Sequence, residues 1–97
     1  MGNCTVNYNV TFADHTPAPF THIDVFIEKS FWIFHWEEYV GSATCDVNGN
    51  AQFSLNKGSS YHFRCVSWNA ARQRKQRDSY FTIGPQCPCN IGSWLPP

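Results

Sequence analysis

Five cysteines (Cys4, Cys45, Cys65, Cys87, Cys89) and four histidines (His15, His22, His35, His62) are the residues of this 97-residue chain best equipped for nucleophilic, redox or metal chemistry. Their spacing does not organise them for it. A nucleophile needs a base within reach and a turn that exposes it, and the chain has neither a Gly-x-Ser-x-Gly elbow nor a strand-to-helix pattern to build one. Cys87-Pro88-Cys89 is one residue short of the Cys-x-x-Cys spacing of zinc and redox sites, and no second pair stands nearby in sequence. Asp46-x-Asn48-x-Asn50 imitates the start of a calcium loop, but Ala51 replaces the glycine at the sixth position and Lys57 the glutamate at the twelfth. Glu37 and Glu38 are adjacent carboxylates, which on a strand point to opposite faces. The expectation is a protein with no catalytic residue, no metal and no cofactor. A small hydrolase or metal-binding protein is the third-ranked alternative.

Binding chemistry is better supplied. Phe31-Trp32-Ile33-Phe34-His35-Trp36 concentrates the aromatic excess of the chain, which is 16% Phe, Trp and Tyr. Laid on one strand, this run would be apolar on both faces. It is therefore either buried from both sides or an exposed patch suited to sugars, membrane interfaces or a second subunit. Sequence leaves both open. The net charge is zero, but residues 1–50 carry six acids and one base, and residues 51–97 six bases and one acid. Four of those bases, Arg72, Arg74, Lys75 and Arg77, form a run read as a basic loop suited to phosphate, sulfated glycan or anionic headgroups. It could equally pair with the acidic half. The neutral balance disfavours bulk nucleic-acid binding, and no aromatic residues are interleaved with these bases.

The elements that must position these residues are strands. Cys4, Val6, Tyr8, Val10 and Phe12 alternate with polar residues, the signature of a half-buried strand over 4–12. Ala13–Pro19 breaks it, and a second strand spans 22–28 with Ile23, Val25 and Ile27 on one face. A third covers 38–45. Asn48-Gly49 reads as a hairpin turn into a fourth strand carrying Ala51, Phe53 and Leu55. After a turn at 56–60 come a fifth strand over 61–66 and a sixth over 79–83. The tail from about residue 84, with Pro85, Pro88, Pro96 and Pro97, reads as extended and irregular. The expectation is one domain over 1–97: an all-β, small antiparallel sandwich of six or seven strands, stabilised by disulfides.

Five cysteines at this length fit a secreted domain better than a cytosolic one. Two bridges with one thiol left over is the simplest account, with Cys4 to the tail and Cys45 to Cys65 or to the tail as the pairings to test. Two sequons, Asn3-Cys4-Thr5 and Asn9-Val10-Thr11, are consistent with secretion. No apolar run reaches the roughly 20 residues of a membrane span, and no signal-peptide pattern opens the chain. The expected setting is a secreted mature form, with a cytoplasmic protein as the alternative. Met1-Gly2-Asn3-Cys4 has the outline of a dual-acylation start, but Val6 stands where serine or threonine is wanted.

Residues 40–66, with Asp46, Gly49, Phe53, Leu55, Gly58 and Tyr61 in a T-D-x-x-G-like pattern followed by a glycine turn and a Tyr-led strand, resemble the core of transthyretin-like and carboxypeptidase-regulatory-like (prealbumin-like) sandwich modules. The resemblance covers about a quarter of the chain. It implies a β-sandwich of mostly non-catalytic kind, serving as spacer, adhesin or carrier. Taken together, the expected function is non-catalytic binding of a glycan, an anionic lipid surface or a protein through Phe31, Trp32, Phe34 and Trp36, with Arg72, Arg74, Lys75 and Arg77 as the electrostatic element. The runner-up is an assembly subunit that buries the aromatic surface in a homo-oligomer.

Overall fold

The computed structural model describes residues 3–97. Gly2, on which acylation would depend, lies outside the described residues. The described chain is all-β, with seven strands: β1 (Asn3–Thr11), β2 (His22–Phe31), β3 (Phe34–Thr44), β4 (Asn50–Asn56), β5 (Ser60–Trp68), β6 (Arg74–Thr82) and β7 (Cys89–Trp94). They form two sheets, ordered β4-β1-β7 and β3-β2-β5-β6. Period-two alternation decides which side chains meet between them. Cys4, Val6, Tyr8 and Val10 of β1 face inward against Ile23 and Val25 of β2 and Tyr61, Phe63 and Cys65 of β5, all buried. The rings of Tyr8 and Phe63 pack at 5.0 Å between the sheets.

The tail is not irregular. β7 pairs with β1 in parallel, Val6 opposite Cys89 and Tyr8 opposite Ile91, and this is the one parallel ladder among the described strands. Its alternation is short and interrupted by Gly92, so it does not stand out in sequence. The Cys4–Cys87 disulfide clamps the tail to β1, with the two Cα atoms 5.4 Å apart.

The second expected bridge is absent among the described residues: Cys45, Cys65 and Cys89 are free. Cys45 and Cys65 are both buried, but β2 runs between their strands, since Cys45 bonds to Thr21 and Cys65 lies opposite Ile23. Two strand spacings put their Cα atoms about 10 Å apart, beyond the ~7 Å a disulfide can span. Burial pushes the Cys45 thiol up to about 12 and the Cys65 thiol up to about 11, so neither supplies a thiolate near neutral pH.

Asn48-Gly49 is a turn, but not a hairpin. It carries the chain from β3 in one sheet to β4 in the other. Asp46 Oδ1 accepts from the backbone N–H groups of Asn48 and Asn50 at 2.8 and 3.0 Å, which uses the carboxylate as a cap. Among the described residues no cluster of three or more acidic, Cys or His side chains is arranged to hold a metal. Gly49 has φ +78°, and a side chain there would overlap the Val10 carbonyl. The two true hairpins join β2 to β3 and β5 to β6.

Candidate functional site

The β2–β3 hairpin turns inside the aromatic run. Phe31 pairs with Phe34, leaving Trp32-Ile33 as a two-residue loop. Trp32 has φ +62°, the pattern of a II′-type turn whose first central position normally takes glycine. A bulky residue there is strained. This explains why the sequence reads as a continuous strand: the turn contains none of Gly, Asn or Asp. It also settles the question left open above, because the run is surface. Trp32 is 87% exposed, Ile33 76%, Phe31 68% and Phe34 62%, and Trp36 is also exposed.

The hairpin projects. β5 pairs with β2 only as far as Ile27–Tyr61, whereas β2 and β3 continue to pair through Glu28–Glu37, Lys29–Trp36, Ser30–His35 and Phe31–Phe34. Four residue pairs correspond to about 13 Å of free ribbon. Beneath the tip the ribbon carries Glu28, Lys29, Glu37 and Glu38; Trp36 Nε1 donates to Glu38 Oε2 at 2.9 Å.

The four basic residues lie elsewhere. Arg72 sits in the β5–β6 turn with φ +63°, while Arg74, Lys75 and Arg77 belong to β6, which begins well before the sixth strand read from sequence. Antiparallel pairing places Trp68–Arg74 beyond the His22 end of the sheet, at the opposite end from the tip. The separation along the strands is roughly 35 Å, in a molecule 45 Å long. The aromatic and basic elements therefore do not form one contact surface. Nor do the bases pair with the acidic half: Arg72, Arg74, Lys75 and Arg77 make no ion pair among the described residues. Arg77 instead lies over the Trp94 ring at 4.9 Å.

A buried histidine cluster on the outer face of the four-stranded sheet escaped sequence reading. His62 is 4% exposed, stacks on Tyr80 at 4.6 Å, and has Nδ1 3.0 Å from Glu37 Oε1 and Nε2 3.1 Å from Asp78 Oδ1. Burial opposes ionisation of Asp78, but hydrogen bonds from His62 and Gln76 and the charges of His62 and Arg64 outweigh it, holding the carboxyl below its ordinary range. Glu37 and Glu38 do point to opposite faces, one to His62 and the other to Trp36. Residues 37, 62 and 78 are far apart in sequence, so only strand register reveals the cluster. Its contacts tie β3, β5 and β6 together across β2.

No family model matches the chain, and comparison with curated protein sequences yields no match. Over 99% of its length the chain is similar in structure to part of a 9R-lipoxygenase from Cyanothece PCC8801, with a TM-score of 0.55 and 12% identity. The chain spans 16% of that enzyme's length. At this identity the likeness is one of fold alone.

Proposed function

We infer that this domain is a non-catalytic membrane-interface binding module that docks through the tip of the β2–β3 hairpin. The observation that carries the reading is the projecting, strained turn at Trp32, where four consecutive large apolar residues are each more than 60% exposed. Consecutive aromatic and aliphatic residues on a narrow ribbon match the thickness and polarity gradient of a bilayer interface, where tryptophan is favoured. Strain of this kind persists only where the surrounding structure holds it, here the paired strands on either side of the turn. A glycan would ask for hydrogen-bonding groups beside the rings, and Trp32-Ile33-Phe34 offers almost none.

Insertion of the tip leaves the basic strand at the far end, and the charges nearest the headgroups are Lys29 and, behind it, Glu28, Glu37 and Glu38, a net negative set. Docking is therefore driven by apolar burial rather than by attraction to anionic lipid. The Cys4–Cys87 bridge fits an oxidising, extracytoplasmic setting. Among the described residues no helix is long and apolar enough to cross a membrane.

Co-sedimentation with phosphatidylcholine vesicles, with and without phosphatidylserine, tests the reading. The expected result is binding to both, little affected by salt, and lost in Trp32→Ala/Phe34→Ala. Equal binding by the double variant, or no binding by the native protein, refutes it.

A second reading, self-assembly, draws on β3, an edge strand along which Phe34, Trp36, Tyr39 and Val40 are exposed. Light scattering at increasing protein concentration separates the two, since a monomer throughout removes the assembly reading.

A further inference from the structure

The geometry points to a second binding surface, independent of the aromatic tip: the outer face of the β4-β1-β7 sheet, which takes an uncharged, hydroxyl-rich oligosaccharide chain. Alternation along these strands turns Asn7, Asn9, Asn50, Gln52 and Asn90 outward, and register aligns them in rows across the sheet. In one row Gln52 Nε2 donates to Asn7 Oδ1 at 3.0 Å and Asn7 Nδ2 donates to Asn90 Oδ1 at 3.1 Å. In the next, Asn9 Nδ2 donates to Asn50 Oδ1 at 2.7 Å. The amides are thus held in place by one another rather than left free to rotate. Gln52 Oε1 and Asn90 Nδ2, at the two ends of the first row, have no protein partner among the described residues. A fixed acceptor and a fixed donor on one surface suit hydroxyl groups, which both donate and accept.

Charge selects against other ligands. No Asp, Glu, Lys or Arg occupies an outward position on these three strands, whereas the outer face of the other sheet carries Asp24, Arg64 and Asp78. Asp46, at the rim, is committed through Oδ1 to capping its own turn. Between Asp46 at one rim and Arg77 at the other, an ion seated on the amide rows themselves would leave water without a counter-charge beside it. The amide rows floor a shallow groove of about 630 Å³ that also reaches Asp46, Ala51 and Ile91, within the range of about 300–1,000 Å³ usual for small-ligand sites.

An aromatic platform completes the face. Trp94 projects from β7 opposite Thr11, two residues beyond Gly92, whose outward side is open, with nothing within 4 Å of where a Cβ would lie. Asn90, Gly92 and Trp94 follow one another along the outward side of β7: Asn90 lines the amide groove, and Gly92 and Trp94 line the adjoining depression with Arg77, Asp78 and Tyr80. Arg77 lies over the Trp94 ring and fixes its orientation, while more than half of the residue stays exposed. A fixed ring beside hydrogen-bonding amides is the combination that a sugar, with an apolar C–H face and a hydroxyl rim, can satisfy at once.

Affinity electrophoresis of the unglycosylated, oxidised protein through hydroxyethyl cellulose, xyloglucan and galactomannan, with heparin as the charged control, tests the surface. The expected result is retardation by at least one uncharged polysaccharide, insensitive to salt. Affinity should fall at least ten-fold in Trp94→Ala and in Gln52→Ala, and remain unchanged in Trp32→Ala. Gln52 is exposed and outside the core, so its variant keeps the test valid if loss of Trp94 disturbs folding. No retardation by any uncharged polysaccharide, retardation by heparin alone, or native affinity in Gln52→Ala overturns the proposal. Because the vesicle assay depends on Trp32 and this one does not, either reading can fail without the other.

Discussion

Nδ1 of His62 lies 3.0 Å from the Glu37 carboxylate although β2 runs between their strands. The opposite ring nitrogen faces Asp78, so the imidazolium form donates to both carboxylates and the neutral form to only one. Glu37 lies at the base of the projecting ribbon, and the histidine therefore braces that ribbon against β5 and β6. The arrangement has a pH consequence through Asp78. Its carboxyl is depressed in the folded protein, so the unfolded chain takes up this proton first as pH falls. The stabilisation is fully present above the ordinary aspartate value of about 3.9 and is lost as pH drops through the lower folded value. Urea unfolding between pH 7 and pH 2 should show stability falling in the acid range, and Asp78→Asn should flatten that fall.

Trp32 occupies backbone space that glycine would fill without strain. Trp32→Gly is expected to leave thermal stability unchanged or raise it by up to about 1 kcal/mol, while weakening vesicle binding. Calorimetry and co-sedimentation on the same preparation check both halves. A variant that binds vesicles as tightly as the native protein would show that the indole is not part of the docking surface.

Gly49 presents the opposite case. With φ +78° and the Val10 carbonyl against its open side, it has no room for a methyl group. Val10 N–H also donates to Gly49 O at 2.8 Å, so displacing this turn disturbs β1 directly. Gly49→Ala should cost about 2–4 kcal/mol by denaturant unfolding, in the range of strained-backbone and overpacking substitutions.

The thiols should separate into classes. Cys45 and Cys65 are buried and raised to about 12 and about 11, whereas Cys89 is partly exposed. Iodoacetamide labelling at pH 8 followed by intact mass should therefore show one modification in the native protein and three after denaturation without reductant. Recovery of a Cys45–Cys65 peptide on digestion would contradict the described pairing. Reducing Cys4–Cys87, which closes 83 residues of sequence separation, should destabilise the domain by about 2–5 kcal/mol.

The alternating runs at Cys4–Phe12, His22–Glu28 and Tyr61–Cys65 determine by themselves that the protein is all-β and which side chains enter its core, because period-two patterning is a local property of the chain. Tertiary structure decided the rest. The hairpin at Trp32-Ile33 has no turn residues to announce it, and its strain is borne by the paired strands on either side. Asn48-Gly49 has the right residues for a hairpin but serves as a crossing between sheets, since turn chemistry specifies a bend and not which strands pair across it. Strand register alone brings Glu37 to His62 and Gln52, Asn7 and Asn90 into one row. Antiparallel pairing also sends the Arg72–Arg77 segment to the end opposite Phe31–Trp36, a separation that linear charge patterning cannot express because it depends on the direction in which each strand runs.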